Sequence, residues 1–219
     1  MTRIVLLHAT PVAMAPVSQA FAARWPEAEL VNLLDDGLSL DRSRTADLSA
    51  AMIERFVAFG RYGASIGADG ILVTCSAFGP AIDQLAASLD IPVLKPNQAM
   101  FEAAIASGKR LGMLATFAQS IPTMRDEFDD FARSAGRPSR LEAVLVEAAL
   151  DHLRAGRLAR HNELVAERAP ELAACDAVML AQFSTAQAAD AVRAVLDVPV
   201  LTAPEAAVDR MKALVLGGS

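Results

Sequence analysis

The chain repeats itself. With Asp69 set over Asp176, 107 positions further on, DGILVTCSAFGPAIDQLAASLDIPVLKPNQA lies over DAVMLAQFSTAQAADAVRAVLDVPVLTAPEA without a gap. Asp83 meets Asp190, Leu89-Asp90 meets Leu196-Asp197, and Pro92-Val93-Leu94 meets Pro199-Val200-Leu201. The same offset sets RIVLLHA at Arg3 over RLGMLAT at Arg110. An alanine-rich chain matches Ala and Leu by chance, but not D-x-P-V-L and an opening strand in one register. The 219 residues therefore read as two similar halves, 1–97 and 98–204, with a C-terminal helix over about 205–219 able to pack on the first half. Where the register slips, DDGLSLDRSR (Asp35–Arg44) reads as an extra loop that the second half lacks.

Within each half, short β-branched or Leu-rich runs alternate with amphipathic stretches. The runs are Arg3–Ala9, Glu29–Leu34, Gly70–Cys75 and Pro92–Lys95, then Arg110–Ala115, Leu141–Val146, Ala177–Ala181 and Pro199–Thr202. Helical stretches cover Thr45–Ile66, Gly79–Leu89, Ser120–Ala135, Asp151–Ala174 and Thr185–Leu196. Strand and helix in alternation predict an α/β fold of two pseudo-symmetric parallel-sheet halves, with an active-site cleft between them. Ligands of open parallel sheets bind outside the carboxyl ends of the strands. Attention falls on Thr10-Pro11, Cys75-Ser76, Thr116 to Ser120, and Gln182-Phe183-Ser184.

Composition narrows the function. Twenty basic residues against 26 acidic give a formal charge of −6, which argues against a nucleic-acid or anionic-membrane surface. With 5% aromatics there is no stacking platform for bases. The apolar N-terminal run Ile4–Leu7 is of strand length, interrupted by Arg3 and followed by Pro11 and Pro16, so neither a membrane span nor an export signal is read. A cytoplasmic protein is the expectation. Two cysteines, Cys75 and Cys175, do not make a disulfide framework.

Cys75 lies between an apolar strand and Gly79-Pro80, which opens a helix. At such a junction the helix dipole favours the thiolate; a small buried hydrophobe is the alternative. Cys175, at a helix end beside Asp176, reads as structural, and the repeat pairs Cys75 instead with Gln182, which is neither acid nor base. Hydroxyls and free amides at helix starts make Ser76, Thr116, Ser120 and Ser184 candidate carboxylate binders or plain N-caps, with Thr10, Pro11, Ala77, Ala118 and Phe183 beside them. His8, Lys95 and Asn97 are further possibilities; His8 reads either as a cleft residue or as a hydrogen-bonded core histidine. No metal-ligand spacing occurs, nor G-x-G-x-x-G or a P-loop.

Taken together, VTCSAFG, RLGMLATFAQS, MLAQFSTA and DVPVLTAPEAA in this order resemble the aspartate/glutamate racemase superfamily, which includes hydantoin racemases, maleate isomerases and arylmalonate decarboxylase. The resemblance spans essentially the whole chain and implies flavodoxin-like halves and cofactor-independent chemistry beside a carboxylate. It also implies two cysteines facing each other across the substrate. Cys75 matches the first; Gln182 stands where the second would be, so a symmetrical two-thiol racemisation is not expected. What remains is a single-cysteine racemase or isomerase acting on a small carboxylate or amino-acid-like substrate. The alternatives are a malonate-type decarboxylase with Cys75 as sole proton donor, and a non-catalytic carboxylate-binding homologue. A homodimer or higher homo-oligomer is compatible with the alanine-rich helices.

Overall fold

The structure, a computed structural model, describes residues 1–45 and 47–217. Contacts divide it into two compact units: Met1–Pro96 with the C-terminal segment from Pro204, and Asn97–Ala203. The first unit contains β1 (Arg3–His8), α1 (Met14–Arg24), β2 (Glu29–Leu34), α2 (Asp36–Ser43), α3 (Ala50–Ser65), β3 (Gly70–Val73), α4 (Gly79–Ala86) and β4 (Val93–Leu94). The second contains α5 (Gln98–Ser107), β5 (Arg110–Ala115), α6 (Ser120–Ser134), β6 (Arg140–Leu145), α7 (Glu147–Arg154), α8 (Leu158–Arg168), β7 (Ala177–Leu180), α9 (Ala189–Arg193) and β8 (Val200–Thr202). The chain then returns to the first unit as α10 (Ala203–Leu216). The final two residues of the expected C-terminal helix, and Ala46 of the expected Thr45–Ile66 stretch, lie outside the described residues.

Each unit is built on a four-stranded, all-parallel sheet, ordered β2-β1-β3-β4 in one and β6-β5-β7-β8 in the other. The central strands are continuous apolar runs, as strands covered on both faces must be. Ile4, Val5, Leu6 and Leu7 are all buried, and so are Ile71 to Val73 and Val178 to Leu180. Burying a side chain of this size contributes about 1.5–3 kcal/mol. The repeated aspartate has a matching task in the two sheets. Asp69 accepts from Arg3 N at 2.7 Å while its own N–H donates to Arg3 O at 2.8 Å. Asp176 accepts from Lys109 N and Arg110 N at 2.7 and 2.8 Å and donates back to Arg110 O at 2.6 Å. Each clamps the entry of the third strand to the first.

All eight expected strands form, but those that precede the candidate site residues end early. β3 stops at Val73 and β7 at Leu180, so Cys75 and Gln182 stand in the turns beyond the ladder. The helical expectations need correction in three places. Asp35–Arg44 is not an irregular extra loop: it folds as α2, and the second unit has an eight-residue helix, α7, at the matching point after β6. The slip in register comes instead from α6, fifteen residues against eleven in α1, offset by α3 with sixteen against eleven in α8. The stretch Asp151–Ala174 is broken at Gly156, whose φ of 74° suits a residue without a side chain. Thr185–Leu196 opens as a 3-10 turn over Thr185–Ala188 before α9 begins. Among the described residues no helix is long and apolar enough to cross a membrane.

Candidate active site

In the first unit β1, β2 and the turn after β3 carry a polar chain of buried His8 and Thr74 and exposed Asn32. His8 ends β1; its Nδ1 lies 2.9 Å from Thr74 Oγ1 and its Nε2 lies 2.9 Å from Asn32 Oδ1. Burial lowers the His8 pKa, against the pull of the Asn32 hydrogen bond, so the ring is neutral at pH 7. A neutral ring has one donor. Because Asn32 Oδ1 only accepts, the proton sits on Nε2, and Nδ1 accepts from the Thr74 hydroxyl. That hydroxyl also lies 3.2 Å from Leu7 O, a longer contact for the same hydrogen. His8 is thus a hydrogen-bonded core residue that holds Thr74, the neighbour of Cys75.

Cys75 follows in extended conformation (φ −124°, ψ 121°) and caps a 3-10 turn over Ser76–Phe78 that leads into α4. Its thiol is a half-buried free cysteine pushed from an ordinary 9.0 up to about 11, chiefly by desolvation. A hydrogen bond from the Ala77 backbone and the charge of Arg42 act the other way and are outweighed. The expectation that a helix start would favour the thiolate is therefore corrected. The turn after Cys75 is 3-10, and loss of water costs the charged form more than the helix end returns. At neutral pH the sulfur carries its proton.

Arg42 escaped the sequence reading because Asp35–Arg44 gave no sign of being a helix. The guanidinium is buried, with Nη1 donating to Thr45 O at 2.7 Å and Nε to Ala77 O at 3.4 Å. The helix that carries it is pinned to α3 by Arg55, which makes two bonds to Asp35 (2.8 and 2.5 Å) and one to Asp41 (2.9 Å). Of the other expected residues, Thr10 and exposed Pro11 open the 3-10 turn after β1, and Thr10 makes no side-chain capping bond. Ser76 and Ala77 are buried beside Cys75. Lys95 is committed to an ion pair with Asp83 at 2.8 Å.

In the second unit Gln182 gathers the residues expected to bind an anion. Its Oε1 accepts from Thr116 N at 2.9 Å, from Thr116 Oγ1 at 3.2 Å and from Thr185 Oγ1 at 2.9 Å. Its Nε2 donates to Ser120 Oγ at 2.8 Å, and Ser120 in turn donates to Phe117 O at 2.8 Å. Thr116, Ser120 and Thr185 are buried, whereas Gln182 is partly exposed. Phe183 is fully buried in the core and Ser184 nearly so; Ala118 is half-buried in the turn before α6. Asn97 precedes α5, fully buried, with neither side-chain polar atom hydrogen-bonded. Thr185 was missed because its repeat partner is Phe78, which carries no polar signal. Cys175 is buried at the far, amino-terminal side of β7. Among the described residues no three His, Cys, Asp or Glu side chains group as metal ligands. A cavity of about 330 Å³ opens at the amino ends of β5 and β6, where Arg137 bonds the last carbonyls of α5; it is remote from Gln182 along the strands.

Solved structures share this architecture. The chain is similar to a glutamate racemase of Bacillus anthracis (14% identity, 100% of this chain and 83% of that one, TM-score 0.77). It is similar also to the Francisella tularensis glutamate racemase solved with D-glutamate (14%, 99% and 82%, TM-score 0.78) and to the allantoin racemase of Klebsiella pneumoniae (20%, 100% and 89%, TM-score 0.69). The fold is thus that of the duplicated α/β racemases. The profile of the Asp/Glu/Hydantoin racemase family matches residues 8–167, and the chain belongs to that family. A comparison with curated proteins finds no match.

Proposed function

We propose that this racemase-family enzyme moves a proton at a carbon α to a carboxylate, without a cofactor, through Cys75 as its only catalytic thiol. The observation that carries the reading is the Cys75 sulfur, protonated at neutral pH and standing just beyond the third strand of its sheet. At the repeat-equivalent position of the second unit is an amide, Gln182, which exchanges no proton in catalysis. Thr10 and Ser76 are the first-unit groups offered to a substrate carboxylate, and Ser184 and its neighbours those of the second, where Thr116 and Ser120 already spend their donors on Gln182 and Phe117 O. The Francisella relative holding D-glutamate supports a small carboxylate or amino-acid-like substrate.

The protonated thiol also favours a second reading. A neutral sulfhydryl is a proton donor before it is a base, which suits one-face protonation of an enediolate left by loss of CO2 from a malonate-type acid. One experiment separates these. Wild type and Cys75→Ser are incubated in D2O with amino acids, hydantoins and substituted malonates, and α-deuterium and CO2 are followed. Exchange with inversion supports an isomerase, and CO2 release the lyase. Undiminished turnover in Cys75→Ser overturns both.

A further inference from the structure

The hydrogen bonds of Gln182 define its amide without ambiguity. A backbone N–H can only donate, so the Gln182 atom 2.9 Å from Thr116 N is the carbonyl oxygen. The Thr116 and Thr185 hydroxyls converge on the same oxygen at 3.2 and 2.9 Å. Ser120 spends its hydrogen on Phe117 O and therefore accepts from Nε2. Four bonds from buried partners hold one partly exposed side chain, far more than packing a glutamine requires. An amide nitrogen has two hydrogens. One is bound by Ser120; the other has no acceptor among the described residues.

We propose that Gln182 is a positioned hydrogen-bond donor, inert to proton transfer, that presents its second amide hydrogen to a carboxylate oxygen of the ligand. The ligand class rests on the function proposed above. Fixed dipoles of this kind stabilise negative charge without the cost of reorienting when the ligand arrives. Three donors saturating Oε1 strengthen the remaining N–H, since donors and acceptors within one network polarise each other. The second unit thus keeps a role in binding at the position where it lacks a thiol. Thr116, Thr185 and Ser120 are positioning residues, acting through Gln182.

The isosteric Gln182→Glu substitution tests this. A carboxylate keeps the bonds from Thr116 and Thr185, loses the outward donor, draws the Ser120 hydroxyl away from Phe117 O and adds a negative charge. Its effect is therefore an upper bound on the donor, and the amide shifts of the wild type carry the assignment. In ¹⁵N-labelled protein the Gln182 side-chain amide pair is assigned by its disappearance in this variant. Sodium malonate and sodium acetate are titrated against a sodium chloride control. One proton of the pair is expected to move downfield while the Ser120-bonded proton stays. Malonate should bind Gln182→Glu at least tenfold more weakly. Thr185→Val and Ser120→Ala should weaken binding by a few-fold, with both amide protons shifting together as the side chain loosens. If neither proton moves at the highest attainable malonate and acetate concentrations, or Gln182→Glu binds malonate as well as wild type, the proposal fails. The shift should persist in Cys75→Ser. Its persistence with no proton exchange in wild type would leave Gln182 a binding group and discard the Cys75 chemistry alone.

Discussion

The two units share a sheet order, a strand clamp and a turn after the third strand, yet they load that turn differently. In the first, Thr74 is tied to His8 and Leu7, and Cys75 beside it has only the Ala77 amide and the Arg42 charge to oppose burial. In the second, Gln182 itself is the hub, bonded to Thr116 just past β5 and to Ser120 at the start of α6. One unit thus leaves a thiol loosely coordinated; the other locks an amide. A duplicated scaffold conserves backbone geometry cheaply, because the clamp is one aspartate, while the chemistry of the turn is free to diverge.

The largest test of this contrast is loss of the Cys75 thiol. Cys75→Ser is expected to lower α-proton exchange by about 10² to 10⁴, the usual worth of a positioned acid or base, whereas Cys175→Ser leaves it intact. Equal losses in both variants would remove the distinction between the cysteines. Next in size are Thr74→Val, which leaves the buried His8 Nδ1 without a donor and should cost about 1–3 kcal/mol in urea unfolding, and Thr116→Val, which removes one of three donors to Gln182 Oε1. Thr116→Val should lose the less, since Gln182 Oε1 keeps the Thr116 N–H and the Thr185 hydroxyl; the reverse order would mean that His8 does not depend on Thr74.

The thiol supplies a third test. Its rate of alkylation by iodoacetamide should climb with pH up to about 11. Arg42→Ala, lacking the nearby charge, should be slower at pH 8 by roughly threefold to tenfold, since each pKa unit is a tenfold change, and Arg42→Lys should recover most of the rate. Similar rates in Arg42→Ala and Arg42→Lys would deny an electrostatic role. Linkage gives the sign for stability: a thiol whose folded value is raised holds its proton longer when folded, so stability falls as pH rises from about 9 through about 11, and Cys75→Ala should flatten that slope.

The smallest effect belongs to His161. It is fully buried on α8 with Nε2 unbonded, and burial lowers its pKa against the hydrogen bond to Asn162. Stability from such a neutral ring is complete above its unfolded value and is lost as pH falls through the folded one. His161→Leu should change stability by about 1 kcal/mol or less at pH 7 and protect against acid. His8 has partners on both nitrogens, so His8→Leu should instead destabilise at neutral pH.

Much of this was legible beforehand because period and register are local properties. The apolar runs placed all eight strands, and the offset between Asp69 and Asp176 placed Gln182 opposite Cys75 in the repeat. The helix over Asp36–Ser43 was not legible: with five polar or charged residues and a glycine in eight positions, its pattern is that of a loop, and it holds because Leu38 is buried and Arg55 grips Asp35 and Asp41. Thr185 and Asn32 were missed for a related reason. Asn32 meets His8 from 24 residues away, and Thr185 reaches Gln182, three residues before it, in a turn that also brings in Thr116 from 69 residues away.

The sequence by itself determined the family, the doubled α/β plan and the identity of the one cysteine beyond a third strand, because these depend on order and periodicity along the chain. Only the tertiary structure decided how each turn behaves. Whether a thiol keeps its proton depends on how much water reaches it and which charges lie near. Whether a glutamine is idle or aimed depends on the donors that folding brings to it.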